Sequence, residues 1–166
     1  MADHFDQTRG NEALEARGAS QQFLTFTIGD EEYGVDIMTV REIKGWTDTT
    51  RLPNSPDYMR GVMNLRGLII PIFDLRARFR RGLTEATPKN VVIILAVGDR
   101  NIGILVDTVS DILTVSTADI KMAPEMEART DADFIGGLIS LETRMVVLLE
   151  VERLFDTGQI AAAHAA

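Results

Sequence analysis

The apolar residues of this chain fall into short runs of five to nine positions, broken by Gly, Asp and Asn, and do not recur at helical spacing. Phe23-Leu24-Thr25-Phe26-Thr27-Ile28 is aromatic and β-branched, and Gly29-Asp30-Glu31-Glu32 supplies turn chemistry before a second strand over 33–37. Val91 to Val97 holds six branched aliphatics and one Ala, the pattern of a strand buried on both faces. It stops at Gly98-Asp99-Arg100-Asn101 and resumes at Ile102 to Val106. Leu68 to Phe73 and Met145 to Leu149 predict two more strands, with Pro71 placing its strand at a sheet edge or a bulge because it lacks a ladder donor. At 74–79 and 150–155 an acid precedes apolar residues at helical spacing, which predicts a short helical turn in each place.

These runs occur twice. Residues 25–44 shifted by 69 positions fall on 94–113 without a gap, with Gly29/Gly98, Asp30/Asp99, Gly34/Gly103, Thr39/Thr108, Val40/Val109 and Ile43/Ile112 identical. Residues 61–79 shifted by 76 positions fall on 137–155, with Gly61/Gly137, Leu65/Leu141 and Phe79/Phe155 identical. The seven extra residues belong to a loop of the second copy, around 124–133. Each copy has about five short strands, the size at which a sheet curls into a small barrel to bury its apolar face. The expected architecture is all-β, with a first barrel over about 23–79, a linker over 80–91, a second barrel over about 92–155, and short helical segments. Residues 1–19 read as a mobile arm and 158–166 as a flexible Ala-rich tail, since neither offers an apolar face to dock.

Charge and composition narrow the function. The net charge is −8, from 17 basic and 25 acidic residues, which disfavours nucleic acid and anionic lipid. The two copies are unequal: 23–79 carries 7 basic and 8 acidic residues, while 92–155 carries 5 and 11. There is no cysteine, no apolar stretch near the roughly 20 residues a membrane span needs, and no apolar signal core at the start, so a cytoplasmic protein is expected.

No catalytic constellation is visible. The two histidines, His4 and His164, lie in the terminal segments, and there is no Cys nucleophile, phosphate loop or Gly-x-Ser-x-Gly elbow. Asp30-Glu31-Glu32 reads as a solvated hairpin tip, and Asp131 and Asp133 as loop acids. The chain is therefore expected to be no enzyme and to need no cofactor or metal. What stands out is Asn64-Leu65-Arg66-Gly67 between two apolar strands, where Gly67 suits a tight turn that presents Arg66 at a strand end. Glu42, in Val40-Arg41-Glu42-Ile43, is the natural ion-pair partner of Arg66. Their counterparts in the second copy are Asp111 and Glu142, two like charges, so this pair belongs to the first copy alone. Recognition is a better reason for it than stability, because an exposed pair contributes only about 0–1 kcal/mol whereas Arg is enriched at binding hot spots.

At these residues the chain resembles the CheW family of chemotaxis coupling proteins. The resemblance rests on residues 26–37, Val40 to Ile43, Arg51-Leu52-Pro53, Gly61 to Gly67 running into Ile70 to Arg76, Gly103 to Asp111 and Ile120 to Pro124, and spans about residues 20–157. It implies two Src-homology-3-like five-stranded barrels. It also implies a scaffold that binds the regulatory domain of the histidine kinase CheA and the cytoplasmic tip of chemoreceptors, recruited to receptor arrays at the inner membrane face without inserting into the membrane. Val40, Glu42, Gly61 and Arg66 fall where the family's coupling-sensitive residues lie, and Ile43 and Asn64 complete the expected partner-binding set. The alternative within the same fold is a CheW-like coupling module of a non-chemotactic signalling array.

Overall fold

In the computed structural model, residues 20–122 and 134–155 are described, and ten strands form two five-stranded sheets. The expectations for the arm 1–19, the tail 158–166, His4, His164, Asp131 and Asp133 lie outside the described residues. In chain order the elements are β1 (Ser20–Ile28), β2 (Glu31–Asp36), a 3-10 turn (Ile37–Thr39), β3 (Val40–Gly45), β4 (Met59–Leu65), β5 (Leu68–Asp74) and α1 (Leu75–Arg78). There follow β6 (Val91–Val97), β7 (Arg100–Val106), β8 (Thr108–Ser116), a second 3-10 turn (Thr117–Asp119), β9 (Ile135–Ser140), β10 (Met145–Leu149) and α2 (Val151–Leu154). The two helical turns sit where an acid was followed by apolar residues. The Asp74 carboxylate accepts from the Ala77 amide to start α1.

The sheets do not follow the sequence halves. One has the order β3-β6-β7-β5-β4 and the other β8-β1-β2-β10-β9. The first is continuous in sequence from Val40 to Val106, and the second is assembled from the hairpin β1–β2 and the strands β8 to β10. This corrects the expected division into 23–79 and 92–155. The chain changes sheet at Ile37–Thr39 and at Asp107, and the 80–91 segment joins β5 to β6 inside one sheet. Each copy thus lends its first hairpin to the middle of the sheet built on the other copy's last three strands. The hairpin β1–β2 runs antiparallel to β8 and parallel to β10, as β6–β7 does with β3 and β5.

Each sheet is tied end to end by one bridge. Beyond β3 the chain turns so that Thr50 pairs with Val62 of β4, with N···O distances of 2.9 and 2.8 Å. Beyond β8, Lys121 pairs with Leu138 of β9 in the same way, at 2.9 and 2.7 Å. Each bridge draws the two outer strands of its sheet toward each other, the curl by which a small sheet approaches a barrel. The bridge also explains the matched glycines: a Cβ on Gly61 would lie 2.4 Å from the Thr50 carbonyl oxygen, and one on Gly137 2.6 Å from the Ile120 side chain.

Of the two places expected for Pro71, an edge or a bulge, the structure shows the second: the β4–β5 register slips between Met59 and Gly61, next to its own pairing with Val62. β5 lies between β7 and β4, so Pro71 is not at an edge. It pairs with Val62, whose N–H and C=O are both committed to Thr50, so β4 asks no donor of it. The parallel ladder between β5 and β7 begins one residue later, at Ile72. The missing N–H is therefore tolerated inside the sheet.

Three apolar cores follow from this. Trp46, Met63, Ile70, Ile72, Val92, Ile94 and Leu105 fill the sheet that contains β3, and Phe23, Ile139, Val146 and Leu148 fill the other. The largest cluster lies between the sheets and draws on both, including Phe26, Tyr33 and Val35 from one and Phe73, Ile93, Ile102 and Ile104 from the other. Arg78 bridges the two helical turns there: its Nε donates to the Leu154 carbonyl at 2.7 Å while the guanidinium lies over the rings of Tyr58 and Phe134.

Candidate functional site

Arg66 and Gly67 are the two-residue loop of the β4–β5 hairpin, between the paired residues Leu65 and Leu68. Both have positive φ, 51° at Arg66 and 86° at Gly67, which is the type I′ turn that suits the twist of a tight hairpin. The Asn64 side-chain oxygen accepts from the Gly67 amide at 2.9 Å and fixes the turn. Asn or Gly takes the first position of such a turn at little cost; an Arg there costs about 1–2 kcal/mol of backbone strain.

The strained turn delivers the Arg66 guanidinium to Glu42 of β3. Nη2 lies 2.9 and 3.0 Å from the two carboxylate oxygens. Because β3 and β4 are the two ends of their sheet, the pair spans the seam between them. The Arg66 side chain is 73% exposed even so, and the carboxylate uses only one guanidinium nitrogen. Glu42 stands just past a bulge at Arg41, where the β3–β6 register slips between Val40 and Glu42. The expected pair is formed, and the remaining guanidinium donors face solvent.

The other expected site residues divide by burial. Ile43 and Asn64 are exposed, and so are the apolar Leu68 and Ile69 of β5, which were not among the expected residues. Val40 is half-buried against the central core, and Gly61 is buried against Thr50. These two hold the backbone that presents Glu42 and Arg66. In the second copy, Asp111 lies on β8, where its Oδ1 accepts from the Ile112 amide, and Glu142 is an exposed loop residue. Ile112 and Met145, the repeat mates of Ile43 and Ile69, are exposed as well. The apolar part of the surface thus recurs on both sheets, and the Arg–Glu pair does not.

Two clefts accompany these surfaces. One, of about 440 Å³, opens where the sheets meet, lined by Asp36 and Thr39 of the crossing turn, Ala96 of β6, and Leu149 to Arg153. The other, of about 450 Å³, lies beside Trp46, between Arg51, Asp57 and Arg60, whose guanidinium sits over the indole ring.

Sequence reasoning missed the polar ties at the crossings. Asp107 Oδ2 accepts from Arg76 Nη2 at 2.6 Å and from the Gly29 amide at 2.7 Å, pinning the hairpin tip to the point where the chain leaves the first sheet. It also missed the contact of Glu31 with Arg81, at 2.8 Å, and with the Tyr33 hydroxyl, which donates to it. Hydrogen bonding from Arg81, then from Tyr33, holds the Glu31 carboxyl below its usual range, and burial, followed by the bond to Glu31, pushes the Tyr33 phenol up. Apart from the local Tyr33–Glu31 bond, these contacts join residues 31 to 78 positions apart, and no local motif announces them. Two acids of the hairpin tip are therefore engaged within the protein, since Glu32 likewise pairs with Arg144 at 3.3 Å, while Asp30 is exposed.

The two sheets thus present an exposed Arg66–Glu42 pair together with exposed apolar side chains, a surface of the kind that protein-binding modules carry. The sequence model of the CheW-like domain matches residues 22–159, and the chain belongs to the CheW family. It is 42% identical to the chemotaxis protein CheW of Klebsiella aerogenes over 89% of both chains. It is 40% identical to the chemotaxis protein CheW of Rhizobium meliloti over 92% of this chain and 99% of that one. Among solved structures it is similar to the scaffolding protein TtCheW of Thermoanaerobacter tengcongensis. The TM-score is 0.75 at 27% identity, over 84% of this chain and 90% of that one. The all-β expectation is borne out, and no helix among the described residues is long and apolar enough to cross a membrane.

Proposed function

We propose that this chain is a non-enzymatic scaffold that couples chemoreceptors to the histidine kinase CheA in chemotaxis, held in receptor arrays at the inner membrane face. Val40, Glu42, Ile43, Gly61, Asn64 and Arg66 form one partner-binding surface, which receives the kinase regulatory domain. Glu42, Ile43, Asn64 and Arg66 present groups to the partner, while Val40 and Gly61 set the backbone beneath them. The inter-sheet cleft takes a helix of the receptor tip, because it joins apolar Ala96, Leu149 and Val151 to a polar rim of Asp36, Thr39 and Glu152.

The observation that carries this reading is the left-handed backbone of Arg66. A turn that keeps an Arg at φ 51° and leaves its side chain mostly in solvent gains too little from one exposed ion pair to offset the strain. A partner that engages the free guanidinium donors supplies the difference.

The test is a titration of the CheA regulatory domain into a complex of this protein with a receptor-tip fragment. A ternary species is the expected outcome, since the two surfaces are separate. Strict mutual displacement would refute the two-surface assignment, and failure to bind either fragment would refute the scaffold role.

A further inference from the structure

We propose that Asp111 keeps the outer edge of β8 closed to a second copy of this chain, whose own β8 would otherwise pair with it antiparallel about Ile112. β8 is an outermost strand of its sheet, and among the described residues it pairs along its length with β1 alone. The bridge of Lys121 to Leu138 lies past its end. None of its nine residues is buried, and Ile112 is 51% exposed. Thr108–Ser116 holds no Lys, Arg or Pro, and Asp111 is its one charge. The equivalent outer strand of the other sheet, Val40–Gly45, is shorter, carries Arg41, Glu42 and Lys44, and has the Arg66–Glu42 pair across its seam. An exposed outer strand is a template for pairing unless charge, proline or distortion spoils it. In β8 that protection falls to Asp111 and the bulge beside it, at Ser110.

The carboxylate acts through its own strand. The Asp111 N–H donates to the Thr25 hydroxyl, and that hydroxyl donates to the Asp111 carbonyl, both at 3.1 Å, so the backbone of Asp111 turns toward β1. By the alternation of an antiparallel ladder the Ile112 N–H then turns outward. There it donates to Asp111 Oδ1 at 2.7 Å. The donor that an added strand needs is thus occupied, and the carbonyl oxygen of that strand would have to displace a carboxylate. The strand that fits best is another β8, because β8 is self-complementary about Ile112. Two antiparallel copies set Ile112 against Ile112, Ser110 against Thr114, Val109 against Val115 and Thr108 against Ser116. Matched β-branched and hydroxyl pairs of this kind favour pairing, and the outward backbone of Ile112 makes it the hydrogen-bonded centre of a two-fold contact. The one mismatch is Asp111 against Leu113.

The experiment measures the mass of the full-length protein by light scattering over a range of concentrations, beside the Asp111→Thr variant and a double variant that adds Ile112→Lys. Asp111→Thr is expected to dimerise at least about tenfold more tightly than the parent. The double variant is expected to return to the parent's behaviour, since two like charges would meet at the two-fold. Urea unfolding reports whether each variant is folded, and Asp111→Ser replaces the threonine variant if that one is not. A folded Asp111→Thr protein that associates no more tightly than the parent overturns the inference. Association of Asp111→Thr that survives Ile112→Lys belongs to another surface and overturns it too.

Discussion

Phe79 and Phe155 are the same position of the two repeats, and each is packed into the territory of the other. Phe79 follows β5 and packs tilted against Tyr33 of β2 and stacked on Phe134, just before β9, at centroid distances of 5.0 and 5.1 Å. Phe155 follows β10 and stacks on Phe73 at 4.4 Å, with Tyr58 at 6.3 Å. The two rings cross the pseudo-symmetric interface in opposite directions. Phe155 is fully buried and Phe79 half-buried. Phe155→Ala is therefore expected to lower stability by about 3–5 kcal/mol and Phe79→Ala by less. Urea unfolding monitored by Trp46 fluorescence measures both, and equal losses would contradict the reciprocal packing.

Much of this architecture is legible in the sequence, and the illegible part has one cause. The runs Val91 to Val97 and Met145 to Leu149 became strands with the predicted bounds, because a short apolar run closed by Gly or a polar turn has few other uses. The Arg66–Glu42 pair was legible from charge and turn chemistry in one copy and like charges in the other. Sheet membership was not. Gly29-Asp30 and Gly98-Asp99 make equivalent hairpin turns, so the hairpin of either copy carries the local chemistry to complete either sheet. Only the pairing of Leu24 with Ile112 and of Ile94 with Glu42 shows the exchange. That Pro71 sits inside the sheet was hidden for a related reason, since whether its missing donor matters depends on Thr50, 21 residues upstream and a member of no strand.

The glycines of the β4–β5 hairpin separate strain from collision. At Gly67, φ is 86° and nothing lies within 4 Å of an added Cβ, so Gly67→Ala is expected to cost only the backbone term, about 1 kcal/mol. At Gly61, φ is 135° and the Thr50 carbonyl oxygen would stand 2.4 Å from the Cβ, so the Thr50–Val62 bridge must move. Gly61→Ala is expected to cost at least about 2 kcal/mol and to expose the Thr50 and Val62 amides to exchange. Hydrogen exchange followed by NMR reads those amides directly, and their continued protection would show that the bridge survives.

The Glu31–Tyr33–Arg81 contacts give stability a pH dependence at both extremes. Glu31 has a folded-state pKa depressed below 4.5, so its contribution is present above the unfolded value and is lost as pH falls through the folded one. Half of the carboxylate is exposed, which limits the contribution to at most about 1 kcal/mol. Tyr33 is shifted the other way: its contribution is present below the ordinary phenol pKa of 10 and declines as pH rises above it. Arg81→Ala is expected to flatten the acid limb of the stability profile. Tyr33→Phe is expected to remove most of the alkaline decline. Chemical denaturation at a series of pH values tests both, and an unchanged acid limb in Arg81→Ala would take Glu31 out of the account.

The Arg66 turn makes the sharpest separation between folding and recognition. In Arg66→Ala the fold loses an exposed ion pair worth about 0–1 kcal/mol and keeps the left-handed backbone strain, so stability is expected to change by no more than about 1 kcal/mol. Arg66→Gly removes the strain as well and is expected to be at least as stable as the parent. Both variants remove the guanidinium, and a hot-spot Arg is worth about 2 kcal/mol or more of binding, roughly a 30-fold loss of affinity for the CheA regulatory domain. A stable Arg66→Gly protein that fails to bind is therefore the outcome expected of a recognition residue. Glu42→Ala is expected to weaken binding in the same direction, because its carboxylate orients the guanidinium through Nη2. The double variant is then less than additive, since the two residues act through one contact. Reversing Asp111 or Glu142 is expected to leave this site unchanged, as neither touches it. If Arg66→Gly loses stability while its folded fraction binds normally, Arg66 serves the hairpin and the partner surface lies elsewhere.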